Sequence, residues 1–169
     1  MKLETSRLIL QSLTLDDVDN LFDLDSSPDV MKYLGRPLVT EKEYVKSVLE
    51  KKLEYNKNYA GLGYWACKEK KSGLFIGQFS LAHIDFDPAK EIEIGFRMQQ
   101  NFWNMGFATE MGKFLMKYGQ EYLKLKQIVA LVHPENSASQ KVLEKIGLKY
   151  VREDFYNGNR LKVFETGHL

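Results

Sequence analysis

Apolar residues recur along this chain with two periods, and the places where the period changes mark its elements. Leu8-Ile9-Leu10 is a short apolar run that reads as a strand, and Thr14 then opens a helical pattern carried by Leu15, Val18, Leu21 and Phe22. Asp16 and Asp17 fall in its first turn, where the helix dipole favours negative charge. Pro28 and the Gly35-Arg36-Pro37 break separate this helix from a second one. The second start reads as a capping box, with Thr40 and Glu43 each satisfying an orphan backbone donor. Tyr44, Val45, Val48, Leu49 and Leu53 follow on one face.

The middle of the chain changes to strand character. Tyr64 to Cys67 and Leu74 to Leu81 are rich in strand formers around a polar turn, which predicts a hairpin. From Glu91 to Met98 the alternation is strict, with Ile92, Ile94, Phe96 and Met98 on one face and Glu91, Glu93, Gly95 and Arg97 on the other. Phe107, Met111, Phe114, Leu115, Tyr118 and Tyr122 then form a helical stripe. The continuous apolar run from Ile128 to Val132 suits a strand covered on both faces. Asn136 opens a last helix with Ala138, Val142 and Ile146 on one side and Gly147 as its stop. Tyr150-Val151 and Leu161 to Phe164 close the sheet as a hairpin around Asn157-Gly158. The order is strand, two helices, three strands, helix, strand, helix, two strands, which predicts an α/β fold with a mixed sheet. A length of 169 residues without repeat, low-complexity tract or linker fits one domain over 1–169.

Composition narrows the function classes. The formal net charge is only +1, which argues against a dedicated nucleic-acid binder. That balance is uneven: residues 1–30 carry a net −5 and residues 100–149 a net +3. The lysine-rich half could favour an anion, although on charge alone solvated helix faces are the favoured reading. No apolar run approaches the roughly 20 residues that span a bilayer, and the opening residues carry no signal-like stretch, so the expected compartment is the cytoplasm. The single cysteine, Cys67, forms no internal disulfide and lies in an apolar strand, where it reads as a buried small hydrophobe. Three scattered histidines without ligand spacing predict no metal site.

The most informative stretch runs from Gln99 to Glu110, after a strand and into a helix. Unpaired backbone N–H groups at such a helix start can bind a phosphate, and Gly106 and Ala108 let an anion approach closely. It is not a P-loop, because no Gly-Lys-Ser/Thr follows, nor a dinucleotide fingerprint, because Met111 fills the third small position. By spacing alone, a phosphate site and a plain strand-to-helix turn stand level.

Three ordered blocks carry a resemblance: Glu93-Ile94-Gly95-Phe96, then Trp103-Asn104-Met105-Gly106-Phe107-Ala108-Thr109-Glu110, then Asn136 to Leu148. Together with the opening Glu4-Thr5-Ser6-Arg7-Leu8-Ile9-Leu10, they resemble the GNAT family of acetyl-CoA-dependent N-acyltransferases, in the branch of the ribosomal-protein N-terminal acetyltransferases. The resemblance covers nearly the whole chain. It implies the GNAT fold, a single mixed and mostly antiparallel sheet splayed in the middle with helices on both faces. It also implies acetyl-CoA as co-substrate, with the pyrophosphate on the backbone of Trp103, Asn104, Met105, Gly106, Phe107, Ala108 and Thr109. Trp103 stands where the family has Gln or Arg, and Asn104 where this branch often has Gly. Phe96 and Met98 are implied as backbone partners of pantetheine, and Asn136 and Ser139 as residues facing the thiol end. Without the resemblance, Asn136 reads first as an N-cap.

For catalysis the resemblance offers Glu93 as general base, directly or through water, because the family often uses a carboxylate on this strand. His83 and His133 are alternatives. The tyrosine acid of many members is Leu143 here, so that role is either absent or supplied elsewhere, with Ser139 as the candidate to assist departure of the thiolate. An α-amino group of pKa about 7.8 is roughly a tenth neutral at pH 7, whereas a lysine near 10.4 is almost wholly charged, so an N-terminal amine demands less of its base. The expected activity is acetyl transfer to a primary amine, favoured as a protein or peptide N-terminus, by direct attack in a ternary complex. A polyamine, amino acid or antibiotic acceptor is the alternative, and a non-catalytic CoA-binding module is the rival from another class. Tyr33, Tyr64, Trp65 and Phe102 are weighed as cleft or core residues, with core filling favoured. The expected partners are acetyl-CoA and an amine acceptor, with no nucleic acid and no membrane, in a monomer or homodimer.

Overall fold

The computed structural model describes residues 3–167. Eight strands form one sheet: β1 (Leu3–Glu4), β2 (Leu8–Ser12), β3 (Gly63–Glu69), β4 (Phe75–His83), β5 (Ile92–Met98), β6 (Val129–Val132), β7 (Leu148–Tyr156) and β8 (Asn159–Thr166). Their spatial order is β1-β2-β3-β4-β5-β6-β8-β7. Every neighbouring pair is antiparallel except β5 and β6, which run parallel. This parallel junction needs a crossover, which the helix α4 (Phe107–Lys117) supplies. The β7–β8 hairpin turns on Asn157 (φ 50°) and Gly158 (φ 79°), the left-handed pair that an Asn-Gly turn requires.

Helices cover both faces. On one side α1 (Val18–Ser26), the short α2 (Pro28–Met31) and α3 (Lys42–Asn58) bury Leu21, Leu24, Val45 and Leu49 against Ala66 and Phe75. On the other, α4 and α5 (Ser137–Lys145) pack on Phe79, Leu81, Ile94 and Phe164. Phe107, Met111 and Leu115 of α4 are each at most 1% exposed. Burial of such side chains stabilises by about 1.5–3 kcal/mol each and fixes where the N-terminus of α4 stands over β5.

Several expected details move. The capping box is not at Thr40 and Glu43: Glu41 precedes α3 with no side-chain cap bond. The reciprocal arrangement forms instead at Thr14, whose N–H donates to Asp17 Oδ2 at 2.9 Å over a 3-10 turn, Leu15–Asp17, that leads into α1. The buried face of α3 is Val45, Leu49, Lys52 and Tyr55, and Tyr44 is exposed. The α4 stripe ends at buried Tyr118, because the chain widens into a π turn over Tyr118–Tyr122 and leaves Tyr122 in solvent. On α5 the buried residue is Leu143, joined by Ile146 just past the helix end, while Ala138 is exposed. β1 and α2 carry too few residues to show a period, and the sequence pattern misses both.

Candidate active site

β5 and β6 share one register pair, Glu93 with Val129, and then part. The gap opens a cleft of about 870 Å³ that passes through the sheet, between α2 on one side and the starts of α4 and α5 on the other. Two residues further along β6, the Leu131 N–H donates to Glu93 Oε1 at 3.4 Å. Glu93 therefore sits at the apex of the fork. Burial raises its pKa to about 7, against the lowering effect of the Leu131 N–H and with a further push from Asp85.

The turn before α4 is built from left-handed residues. Asn104 (φ 60°) and Gly106 (φ 79°) both adopt that region, and Gly106 caps the helix. Asn is the side chain that best replaces Gly in such a conformation, which accounts for Asn104. The first bond from the helix is Glu110 N–H to Gly106 C=O at 2.9 Å, so the N–H groups of Phe107, Ala108 and Thr109 have no carbonyl within the helix to bond. They open onto the cleft with the positive end of the helix dipole behind them. On α5, Asn136 accepts the Ser139 N–H at 3.1 Å, so its role as N-cap is realised and Ser139 is fixed at the cleft wall.

A family model of the acetyltransferase (GNAT) domain matches residues 7–149. The chain is a GNAT-family acetyltransferase. It is similar to the Bacillus subtilis protein YkkB, with 30% identity over 150 residues, 88% of this chain and 86% of that one. It is also similar to an Aspergillus fumigatus protein named FsC-acetyl coenzyme A-N(2)-transacetylase, with 31% identity over 166 residues, 92% of this chain and 67% of that one. The crystal structure of an acetyltransferase from Agrobacterium tumefaciens superposes with a TM-score of 0.83 at 26% identity, covering 99% of this chain and 95% of that chain.

Of the residues singled out in sequence, this GNAT chain brings Glu93, Phe96, Met98, Trp103, Asn104, Gly106, Phe107, Ala108, Thr109, Asn136 and Ser139 to one cleft. Met105 stands outside it: its side chain is 47% exposed and its carbonyl accepts Arg7 Nη1 at 3.0 Å. The Trp103 indole N–H donates to the Met98 carbonyl at 2.9 Å, tying the turn before α4 to the end of β5 and occupying one lone pair of that carbonyl. Tyr33 and Phe102 line the cleft, whereas Tyr64 and Trp65 do not. The two histidines also separate. His133 lines the cleft against the Tyr33 ring at 5.3 Å, with Nδ1 accepting the Glu135 N–H. His83 is bonded to Tyr55 Oη at 2.7 Å, away from the cleft lining. Cys67 is fully buried, and burial with the nearby Glu110 pushes its thiol up to about 12, so it is no nucleophile. Among the described residues no cluster of His, Cys, Asp or Glu is placed to hold a metal ion, and no helix is long and apolar enough to cross a membrane.

The face of β5 that carries Glu93 and Arg97 is covered rather than solvated. Arg97 pairs with Asp25 and donates to Gln78 Oε1 at 3.1 Å, and Arg36 reaches Asp25 at 3.2 Å. Lys52 from α3 donates to the same Gln78 oxygen at 2.6 Å. Three cations thus share one carboxylate and one amide oxygen, and burial with the Arg36 charge lowers Lys52 to about 7. The sequence signal for this network was a lysine on the apolar stripe of α3, between Leu49 and Tyr55.

The opposite shifts of Lys52 and Glu93 predict a dip in stability near pH 7. Glu93 binds its proton more tightly folded than unfolded, so stability falls as pH rises from about 4.5 to 7, by up to about 3 kcal/mol. Lys52 binds its proton less tightly folded, so stability rises from about pH 7 toward 10. Urea midpoints measured across pH 5 to 10 should trace this dip. Lys52→Met should raise stability at pH 7 and flatten the alkaline limb, and Glu93→Gln should flatten the acid limb. Unchanged limbs in both variants would contradict the assignment.

Proposed function

We propose that this acetyltransferase moves the acetyl group of acetyl-CoA to a primary α-amine, with an exposed peptide or protein N-terminus as the acceptor class. The observation that carries the reading is Glu93, a carboxyl with a pKa near 7 at the apex of a fork whose far side offers three unpaired N–H groups. A base near 7 is matched to an α-ammonium of about 7.8 and poorly matched to a lysine of about 10.4.

Phe107, Ala108 and Thr109 hold the diphosphate through their N–H groups, and the β5 backbone around Phe96 aligns the pantetheine and donates to the developing oxyanion. Glu93 takes the proton of the attacking nitrogen, directly or through one water, as the new C–N bond forms. The C–S bond then breaks, and the thiolate leaves with the Ser139 hydroxyl at hand. A thiol of pKa about 8.5 needs no strong acid to leave, so Leu143 in place of a tyrosine is tolerable.

The acceptor class is tested with peptides of one sequence, one with a free N-terminus and no lysine, the other N-acetylated with an internal lysine. At pH 7 the free α-amine should be acetylated with kcat/KM at least about 100-fold higher, following the neutral fractions. Preference for the lysine peptide would overturn it. A small-molecule amine is the second reading, favoured by the name of the Aspergillus fumigatus relative. A panel of small amines acetylated faster than any peptide would establish it.

A further inference from the structure

We infer that Arg7, outside the cleft and on the far end of the chain from α4, is a positioning residue for the diphosphate of acetyl-CoA; the inference rests on the donor reading above. The turn between β1 and β2 is bonded to the first turn of α4 across 103 to 105 residues of sequence. Thr5 Oγ1 and Ser6 Oγ donate to Glu110 Oε1 at 2.5 and 3.2 Å, and the Arg7 backbone N–H donates to the same oxygen at 3.1 Å. Arg7 Nε donates to Glu110 Oε2 at 2.6 Å. Its Nη1 donates to the Met105 carbonyl at 3.0 Å, and its guanidinium lies 4.4 Å from the centre of the Phe107 ring.

Two consequences for an anion follow from this geometry. Glu110 places a carboxylate one turn from the N–H groups of Phe107, Ala108 and Thr109, and its pKa is lowered: burial raises it, and the bonds from Thr5 and Arg7 outweigh that effect. Without the Arg7 charge that carboxylate repels a diphosphate; with it, the pair is neutral. The bond to Met105, meanwhile, ties down the residue between the two left-handed positions, Asn104 and Gly106, and so holds the turn in the shape that aims the N–H groups outward. A Cβ built on Gly106 would lie 3.5 Å from Arg7 Nη2, which puts the guanidinium edge beside the anion's approach. Arg7 thus acts through Glu110 and Met105, from a position that is itself 46% exposed.

The test is titration calorimetry of CoA with no acceptor present, so that the identity of the amine plays no part. Arg7→Gln should raise the dissociation constant about 10-fold. Glu110→Gln should bind CoA at least as tightly as the wild type. The double variant should recover part of the lost affinity, because the repelling charge is gone while the tie to Met105 is not restored; a role confined to holding the fold would leave it as weak as Arg7→Gln or weaker. Wild-type affinity in Arg7→Gln, or no recovery in the double variant, overturns the inference. If Arg7→Gln loses its fold by circular dichroism, Glu110→Gln carries the test, and a dissociation constant raised fivefold or more overturns it. A wild-type chain that binds no CoA overturns the donor reading and this inference with it.

Discussion

Replacing Gly106 by glutamate should raise the dissociation constant for CoA at least about 100-fold while the chain stays folded. Like charges about 5 Å apart at an effective dielectric of 20 repel by about 3 kcal/mol, which is the free-energy equivalent of that factor. The position is suited to the test because a Cβ there meets no protein atom closer than Arg7 Nη2 at 3.5 Å, so overcrowding does not confuse the result. What the substitution does cost is backbone strain at φ +79°, about 1–2 kcal/mol for a non-glycine side chain. Gly106→Asn separates the two effects, since Asn tolerates the left-handed region and brings no charge. It should bind CoA within a few-fold of the wild type. Wild-type affinity in Gly106→Glu would remove the α4 turn as the phosphate site.

Glu93→Gln should lower kcat/KM toward an α-amine by about 10²- to 10³-fold at pH 7. Glutamine keeps an oxygen to accept the Leu131 N–H, so the fork between β5 and β6 retains its apex contact. In the wild type, kcat/KM should rise as Glu93 ionises near pH 7 and rise further as the amine loses its proton near 7.8. The variant should keep only the second rise. A Glu93→Gln enzyme with the wild-type rate and profile would remove Glu93 as the base and turn attention to His133, which also lines the cleft.

Much of this arrangement was legible in the sequence because it depends on local pattern. The strict alternation from Ile92 to Met98 placed Glu93 on the face opposite Ile94 and Met98, and that is where the carboxylate stands. Asn157-Gly158 announced its hairpin through the turn chemistry alone. Features set by distant contacts were not legible. Nothing in the spacing of Thr5, Ser6 and Arg7 says that Glu110 completes the turn, since the partners lie more than 100 residues apart. Asp25 reads as one of seven acidic residues in the first 30, yet it is the carboxylate that Arg36 and Arg97 share. Trp103 departs from the family loop, and its contribution, a bond to the Met98 carbonyl, follows from the tertiary position of β5. Thr40 and Glu43 failed as a capping box because the helix begins one residue later than that motif requires, after Glu41.

Acetyl transfer in this cleft requires that acetyl-CoA be turned over in response to an amine. Thiol release from acetyl-CoA, followed with and without a peptide bearing a free N-terminal amine, tests this directly. The prediction is saturable release that needs the peptide, together with a peptide heavier by one acetyl group at its α-nitrogen. Tight binding of CoA with no acceptor-dependent release from peptides or from the small-amine panel would contradict it and leave the cleft as a binding site without turnover.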